Sequence, residues 1–132
     1  MTHGKYCLKF ASALLLFVIS VLAHADGFES FSDQRLAELN AVEKPILVEV
    51  YADWCSTCRR QSPILEALLS DAEFKDLSGL KLDWDAQRED ALKLGAPRQS
   101  TLVLFAGGQK IDLSVAETNP ERLREFLRQA IN

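Results

Sequence analysis

The chain has 132 residues, with 19 acidic against 15 basic side chains and a formal charge of −4 at neutral pH. That length suits one ordinary domain, and the negative balance argues against grip on a phosphate backbone, so no nucleic-acid partner is expected. Three cysteines and two histidines are the whole stock of thiols and imidazoles.

The first stretch reads as an address. Lys5 and Lys9 make a basic start, Phe10 to Ala23 is an uncharged apolar run, and Ala23-His24-Ala25 is a small-x-small cleavage site ahead of Asp26. A membrane span needs about 20 apolar residues, which this run does not reach. The expectation is therefore a Sec-type signal peptide over residues 1–25, removed to leave one domain over 26–132 in the periplasm or another extracytoplasmic space. Removal takes Lys5 and Lys9 but no acid, which deepens the negative charge, and it also takes Cys7, His3 and His24. What remains has two cysteines and no histidine. Cys–His and Ser–His nucleophilic sites are excluded, as is a Cys₂His₂ zinc site within one chain.

After residue 26 the pattern alternates. Phe31 to Leu39 carries Leu36 and Leu39 at helical spacing, with Ser32 or Asp33 as N-cap and Lys44-Pro45 closing the segment. Ile46 to Ala52 is a β-branched, apolar run interrupted by Glu49, the signature of a strand buried on both faces. Helical spacing returns from Cys55 to Leu69 through Ile64, Leu65, Leu68 and Leu69, with Pro63 expected to kink the helix. Leu80 to Trp84 reads as a short strand, and Arg88 to Leu94 as a short helix ended by Gly95. Thr101 to Phe105 and Lys110 to Leu113 read as a hairpin across Ala106-Gly107-Gly108-Gln109. Asn119-Pro120-Glu121 opens a last helix with Leu123, Phe126, Leu127 and Ile131 along one stripe. The order predicts an α/β fold, a central mixed sheet covered by helices on both faces.

Cys55 and Cys58 are separated by two residues. A bridge between them closes so short a loop that it restrains little of the unfolded chain, which makes it a poor staple and favours a chemical role. The attacking species in disulfide exchange is a thiolate, and a helix beginning at Cys55 offers that sulfur unpaired N–H groups and the positive end of the helix dipole. Cys55 would attack, and Cys58, one turn deeper, would resolve the mixed disulfide. Arg59 and Arg60 read chiefly as solvated surface. Glu49 is costly in a buried strand unless paired or protonated. Either it reaches water at a strand edge, or burial raises its pKa so that it serves as a proton acceptor for Cys58, with Lys81 on the next strand as its partner.

The run Ile46-Leu47-Val48-Glu49-Val50-Tyr51-Ala52-Asp53-Trp54-Cys55-Ser56-Thr57-Cys58, with Pro63 beyond it, resembles the thioredoxin family. The likeness continues through Leu82-Asp83-Trp84-Asp85, Thr101 to Phe105, the Gly107-Gly108 turn and the terminal helix. Tyr51 to Cys55 looks particularly like the thioredoxin-like domains of periplasmic reductant-transfer proteins. The resemblance implies a thioredoxin-like fold and a protein-disulfide oxidoreductase. It makes Cys55 the nucleophile, Cys58 the resolving thiol of a redox-active disulfide, Trp54 a flanking aromatic wall and Glu49 the buried acid. There are two departures. Ser56-Thr57 stands where the family often has Gly-Pro, Gly-His or Pro-His. Ser100 stands before Thr101, where the family has a cis-proline beside the dithiol that borders substrate and is thought to keep metals away. Ser100 and Thr101 are accordingly the expected substrate-facing edge, with a trans peptide before Ser100, since cis would cost about 2.5–4 kcal/mol.

The leading reading is a monomeric envelope enzyme without cofactor or bound metal. It would exchange disulfides with exported proteins, more as reductant than oxidant, and draw electrons from a membrane or periplasmic donor. Two others compete: a metal-binding or metal-delivery module in which two chains contribute Cys₂ each, and a non-catalytic interaction domain with the dithiol locked as a bridge.

Overall fold

The computed structural model describes residues 27–132; the expected signal peptide and its cleavage site lie outside them. The elements in chain order are β1 (Phe28–Ser30), α1 (Asp33–Ala41), β2 (Ile46–Tyr51), α2 (Ser56–Leu69), a 3₁₀ turn (Ala72–Phe74), β3 (Ser78–Asp83), α3 (Arg88–Lys93), β4 (Thr101–Ala106), β5 (Gln109–Val115) and α4 (Pro120–Arg128). The five strands form one mixed sheet in the order β1-β3-β2-β4-β5. β1, β3 and β2 run parallel, and β4 and β5 return antiparallel. This is the α/β architecture expected, with one strand more.

β1 is that addition. It has three residues, too few to display an alternation, and it exists because Phe28, Glu29 and Ser30 find Gly79, Leu80 and Lys81 to pair with. Its ladder is extended by Phe31, whose N–H donates to the Lys81 carbonyl at 2.9 Å. Phe31 therefore belongs to the core rather than to α1, which starts only after Ser32, whose hydroxyl caps it by accepting from the Arg35 N–H at 3.0 Å. Gly79 makes the β1–β3 approach possible: a Cβ there would meet the Gly27 carbonyl oxygen at 2.7 Å and Phe28 Cδ1 at 2.8 Å. The β4–β5 connection is the two-residue turn expected, with φ of 58° at Gly107 and 76° at Gly108.

The core lies on both faces of the sheet. Ile46, Val48 and Val50 of β2 point to one side, where they meet Leu36 and Leu39 of α1, Leu80 and Leu82 of β3 and Val103 of β4. Leu47 points to the other, against Leu65 and Leu68 of α2, Phe74, and Leu123 and Leu127 of α4. Strand periodicity puts Glu49 on this second face, beneath α2. α2 continues through Pro63 to Leu69, so the proline does not end it. Among the described residues no helix is long and apolar enough to cross a membrane.

Candidate active site

The site stands where the carboxyl end of β2 turns into α2. Tyr51 ends the strand, Cys55 N–H closes the turn onto the Ala52 carbonyl at 3.1 Å, and Cys55 takes extended backbone angles as N-cap of α2. Its sulfur does what a capping oxygen does elsewhere, accepting from the Cys58 N–H at 3.1 Å. The helix thus begins one residue later than its first charge acceptor, and that acceptor is the proposed nucleophile. Both cysteines are free thiols and both are buried, Cys55 retaining 4% exposure.

The electrostatics separate the two sulfurs. Burial raises the Cys55 pKa, but hydrogen bonds from the Cys58 thiol, the Ser100 hydroxyl and the N–H groups of Cys58 and Thr57 outweigh it, leaving Cys55 more acidic than an ordinary thiol. Cys58 moves the other way, raised by burial and by its bond to Cys55, with Ser100 opposing. Of the two, the outer sulfur gives up its proton the more readily and the inner one holds it longer, as attack followed by resolution requires.

Ser100 comes from the loop before β4 and touches both sulfurs, its Oγ 3.0 Å from Cys55 Sγ and 3.2 Å from Cys58 Sγ. It is fully buried. Its N–H donates to the Val50 carbonyl and its carbonyl accepts from Ala116 N–H, each at 2.8 Å, which ties the loop to β2 and to the end of β5. Every peptide bond among the described residues is trans, and Ser100 sits at φ 61°. That left-handed conformation costs a non-glycine residue about 1–2 kcal/mol. Thr101, its neighbour in β4, is also buried and donates its hydroxyl to the Arg98 carbonyl at 2.6 Å. Of the expected substrate edge, then, Ser100 is brought to the sulfurs and Thr101 is engaged with its own loop.

Trp54 is 58% exposed beside the dithiol, and its indole N–H donates to Asp85 Oδ2 at 2.8 Å, which orients the ring. Asp85 escaped sequence reasoning because the pair spans distant segments. Glu49 is fully buried and does not reach water at an edge. Its Oε1 accepts from the Ser62 hydroxyl, while Oε2 makes no hydrogen bond among the described residues and lies 3.6 Å from Lys81 Nζ. Burial raises the Glu49 pKa, while Ser62 and Lys81 oppose that rise. Lys81 is thus the partner its position opposite Glu49 in the β2–β3 register allows. Ser62 was missed, although it follows Cys58 by four residues on the inward face of α2, a polar residue on an otherwise apolar stripe. A cleft of about 420 Å³ beside the dithiol is lined by Cys58, Ser62, Lys81, Glu66 and Tyr51 among others. Cys58 and the Glu49 clamp therefore share one opening. Among the described residues no group of three or more His, Cys, Asp or Glu is placed to hold a metal.

The chain is similar to known proteins. The thioredoxin family model matches residues 29–129. The thioredoxin of Rickettsia bellii is 34% identical over 78% of this chain and 93% of its own length, and that of Chlamydia muridarum is 35% identical over 62% of this chain and 78% of its own. The crystal structure of Trxlp from Edwardsiella tarda is 37% identical, with a TM-score of 0.73, covering 76% of this chain and 97% of that one. With the match running across nearly all of the described fold and the dithiol at the start of α2, the chain belongs to the thioredoxin family and is a thiol–disulfide oxidoreductase built on Cys55 and Cys58.

Proposed function

We propose that this oxidoreductase works in the cell envelope, mainly as a reductant of disulfides in exported proteins. The residues 1–25 pattern supports the location, and likeness to thioredoxins supports the direction. The observation that carries the chemistry is a sulfur at the N-cap of α2, more acidic than a free thiol, with a second sulfur, harder to ionise, one turn inward.

Cys55 thiolate attacks a client disulfide beside the Trp54 ring, forming a mixed disulfide and expelling one client thiolate. Cys58 then gives up its proton toward the cleft it shares with Ser62, whose hydroxyl holds Glu49, and its thiolate attacks Cys55 Sγ. The client leaves reduced and the Cys55–Cys58 disulfide remains. A membrane or periplasmic donor of reduced thiols restores it.

Insulin reduction with a chemical donor tests the reading. Cys55→Ser should abolish it, and Cys58→Ser should accumulate a mixed disulfide visible by mass. An active Cys55→Ser variant contradicts the chemistry. Fractionation of cells expressing the full chain tests the location: recovery in the envelope with Asp26 as first residue is expected, and an intact cytoplasmic chain contradicts it.

A further inference from the structure

The exchange reaction needs negative charge on two sulfurs in turn: on Cys55 during capture and on Cys58 during release. The N-cap geometry serves only the first, because the Cys58 N–H points at Cys55 Sγ. One group within hydrogen-bond distance of both sulfurs is the Ser100 hydroxyl, at 3.0 Å and 3.2 Å. It is fully buried, so water does not compete for it. Its backbone is pinned on both sides, to Val50 and to Ala116, in a conformation that serine rarely adopts. The loop therefore holds this hydroxyl in place against a backbone preference, and a buried outlier beside reacting atoms is where a functional constraint is expected.

Resting on the exchange reading above, we propose that Ser100 is a catalytic residue whose single hydroxyl proton follows the negative charge from Cys55 to Cys58, and that it thereby stabilises the reduced form of the pair. In the reduced enzyme the Ser100 hydroxyl and the Cys58 thiol both donate to the Cys55 thiolate. When Cys55 has formed its bond to a client sulfur it carries no charge, and the client's first thiolate has left to take a proton from solvent. The Cys58 proton passes to the Glu49 carboxylate by way of the cleft that Cys58 and Ser62 line. Ser100 now turns to donate to the Cys58 thiolate as it attacks Cys55 Sγ. The Cys55–client bond breaks, the Cys55–Cys58 bond forms, and the second client thiolate leaves with the proton that Glu49 gives back through the cleft. Two electrons have moved from the dithiol to the client. In the resulting disulfide neither sulfur is an anion, so the hydroxyl loses its charge-assisted bond. Ser100 thus favours the dithiol over the disulfide and makes the couple less reducing than the same scaffold without the hydroxyl.

The charged groups near the pair do not replace this donor. Trp54 holds Asp85, Arg59 reaches back to the Asp53 carbonyl at 3.4 Å, and Glu49 with Lys81 lies beyond Ser62. All stay in place when the hydroxyl is removed, so Ser100→Ala isolates it. Ser100→Gly is the companion variant, because it removes the hydroxyl and also relieves the backbone at φ 61°.

The experiment measures three quantities in the parent and both variants: the Cys55 titration by thiolate absorbance, the equilibrium constant with glutathione, and the rate at which a chromogenic aryl thiol leaves from a preformed mixed disulfide on Cys55. Both variants should titrate at higher pH and release the aryl thiol about tenfold more slowly. Both should shift the glutathione equilibrium about tenfold toward the disulfide, equivalent to about 30 mV for a two-electron couple. Variants that match the parent in titration and equilibrium overturn the proposal while leaving the exchange reading intact. An effect present in one variant and absent in the other assigns it to backbone strain and overturns it as well. A Cys55 titration moved to higher pH with unchanged aryl-thiol release overturns the transfer of the bond to Cys58. A parent protein that does not equilibrate with glutathione at all overturns both readings together.

Discussion

Glu49 shows how one buried group links stability to turnover. The folded protein keeps its carboxyl neutral to a higher pH than the unfolded chain does, because burial disfavours the ion. The native state is therefore penalised as pH rises from the ordinary carboxylate range toward the elevated Glu49 value, and the penalty stops growing above it. Each pH unit inside that window is worth about 1.4 kcal/mol at most. Glu49→Gln should remove this slope, so that urea unfolding followed against pH finds the variant gaining on the parent through the window; parallel curves would count against a Glu49 pKa raised by burial. Glu117, held near 2 by its hydrogen bond from Arg122, acts at lower pH and does not blur the comparison. Ser62→Ala removes a bond that lowers the Glu49 pKa, so the pH profile of mixed-disulfide release should move to higher pH, and Ser62→Thr should restore it. An unmoved profile would leave Ser62 a packing residue.

Among the elements, legibility followed locality. β2, α2 and the thiol at their junction were readable because each signal lies within a few consecutive residues: a β-branched run, a helical stripe, a Cys-x-x-Cys. The hairpin was readable from Gly107-Gly108 for the same reason. β1 was not, since nothing in Phe28-Glu29-Ser30 specifies a strand until Gly79 admits it. Gly79→Ala should accordingly cost about 1–3 kcal/mol by overpacking; a denaturation midpoint equal to the parent's would mean that β1 moves aside freely. Ser100 was singled out by its place before Thr101, yet its reach to the two sulfurs depends on separations of 45 and 42 residues that no local pattern encodes. Its bonds to Val50 and Ala116 arise only once β2, β4 and β5 are side by side.

Over the whole molecule, stability and chemistry occupy opposite ends of the sheet. The dithiol, Trp54 and Ser100 gather at the carboxyl end of β2, while the Gly107-Gly108 turn closes the far end of β4 and β5. Gly108→Ala places a Cβ at φ 76° and 3.3 Å from the Asn40 carbonyl oxygen, and should cost about 1 kcal/mol. The thiolate titration of Cys55 should be unchanged in that variant, as measured by ultraviolet absorbance; a shifted titration would show that the two ends are mechanically coupled.

The register shift between Leu104 and Phe105 leaves Ile111 without a counterpart across the ladder, and the same outer strand carries Lys110 and Asp112. At the other margin β1 offers only three residues. A protein that acts on disulfides of other proteins runs the hazard of recruiting them, strand upon strand, into its own hydrogen-bonding rim. The interrupted, charged border on one side and the stub on the other make poor templates for such edge-to-edge pairing.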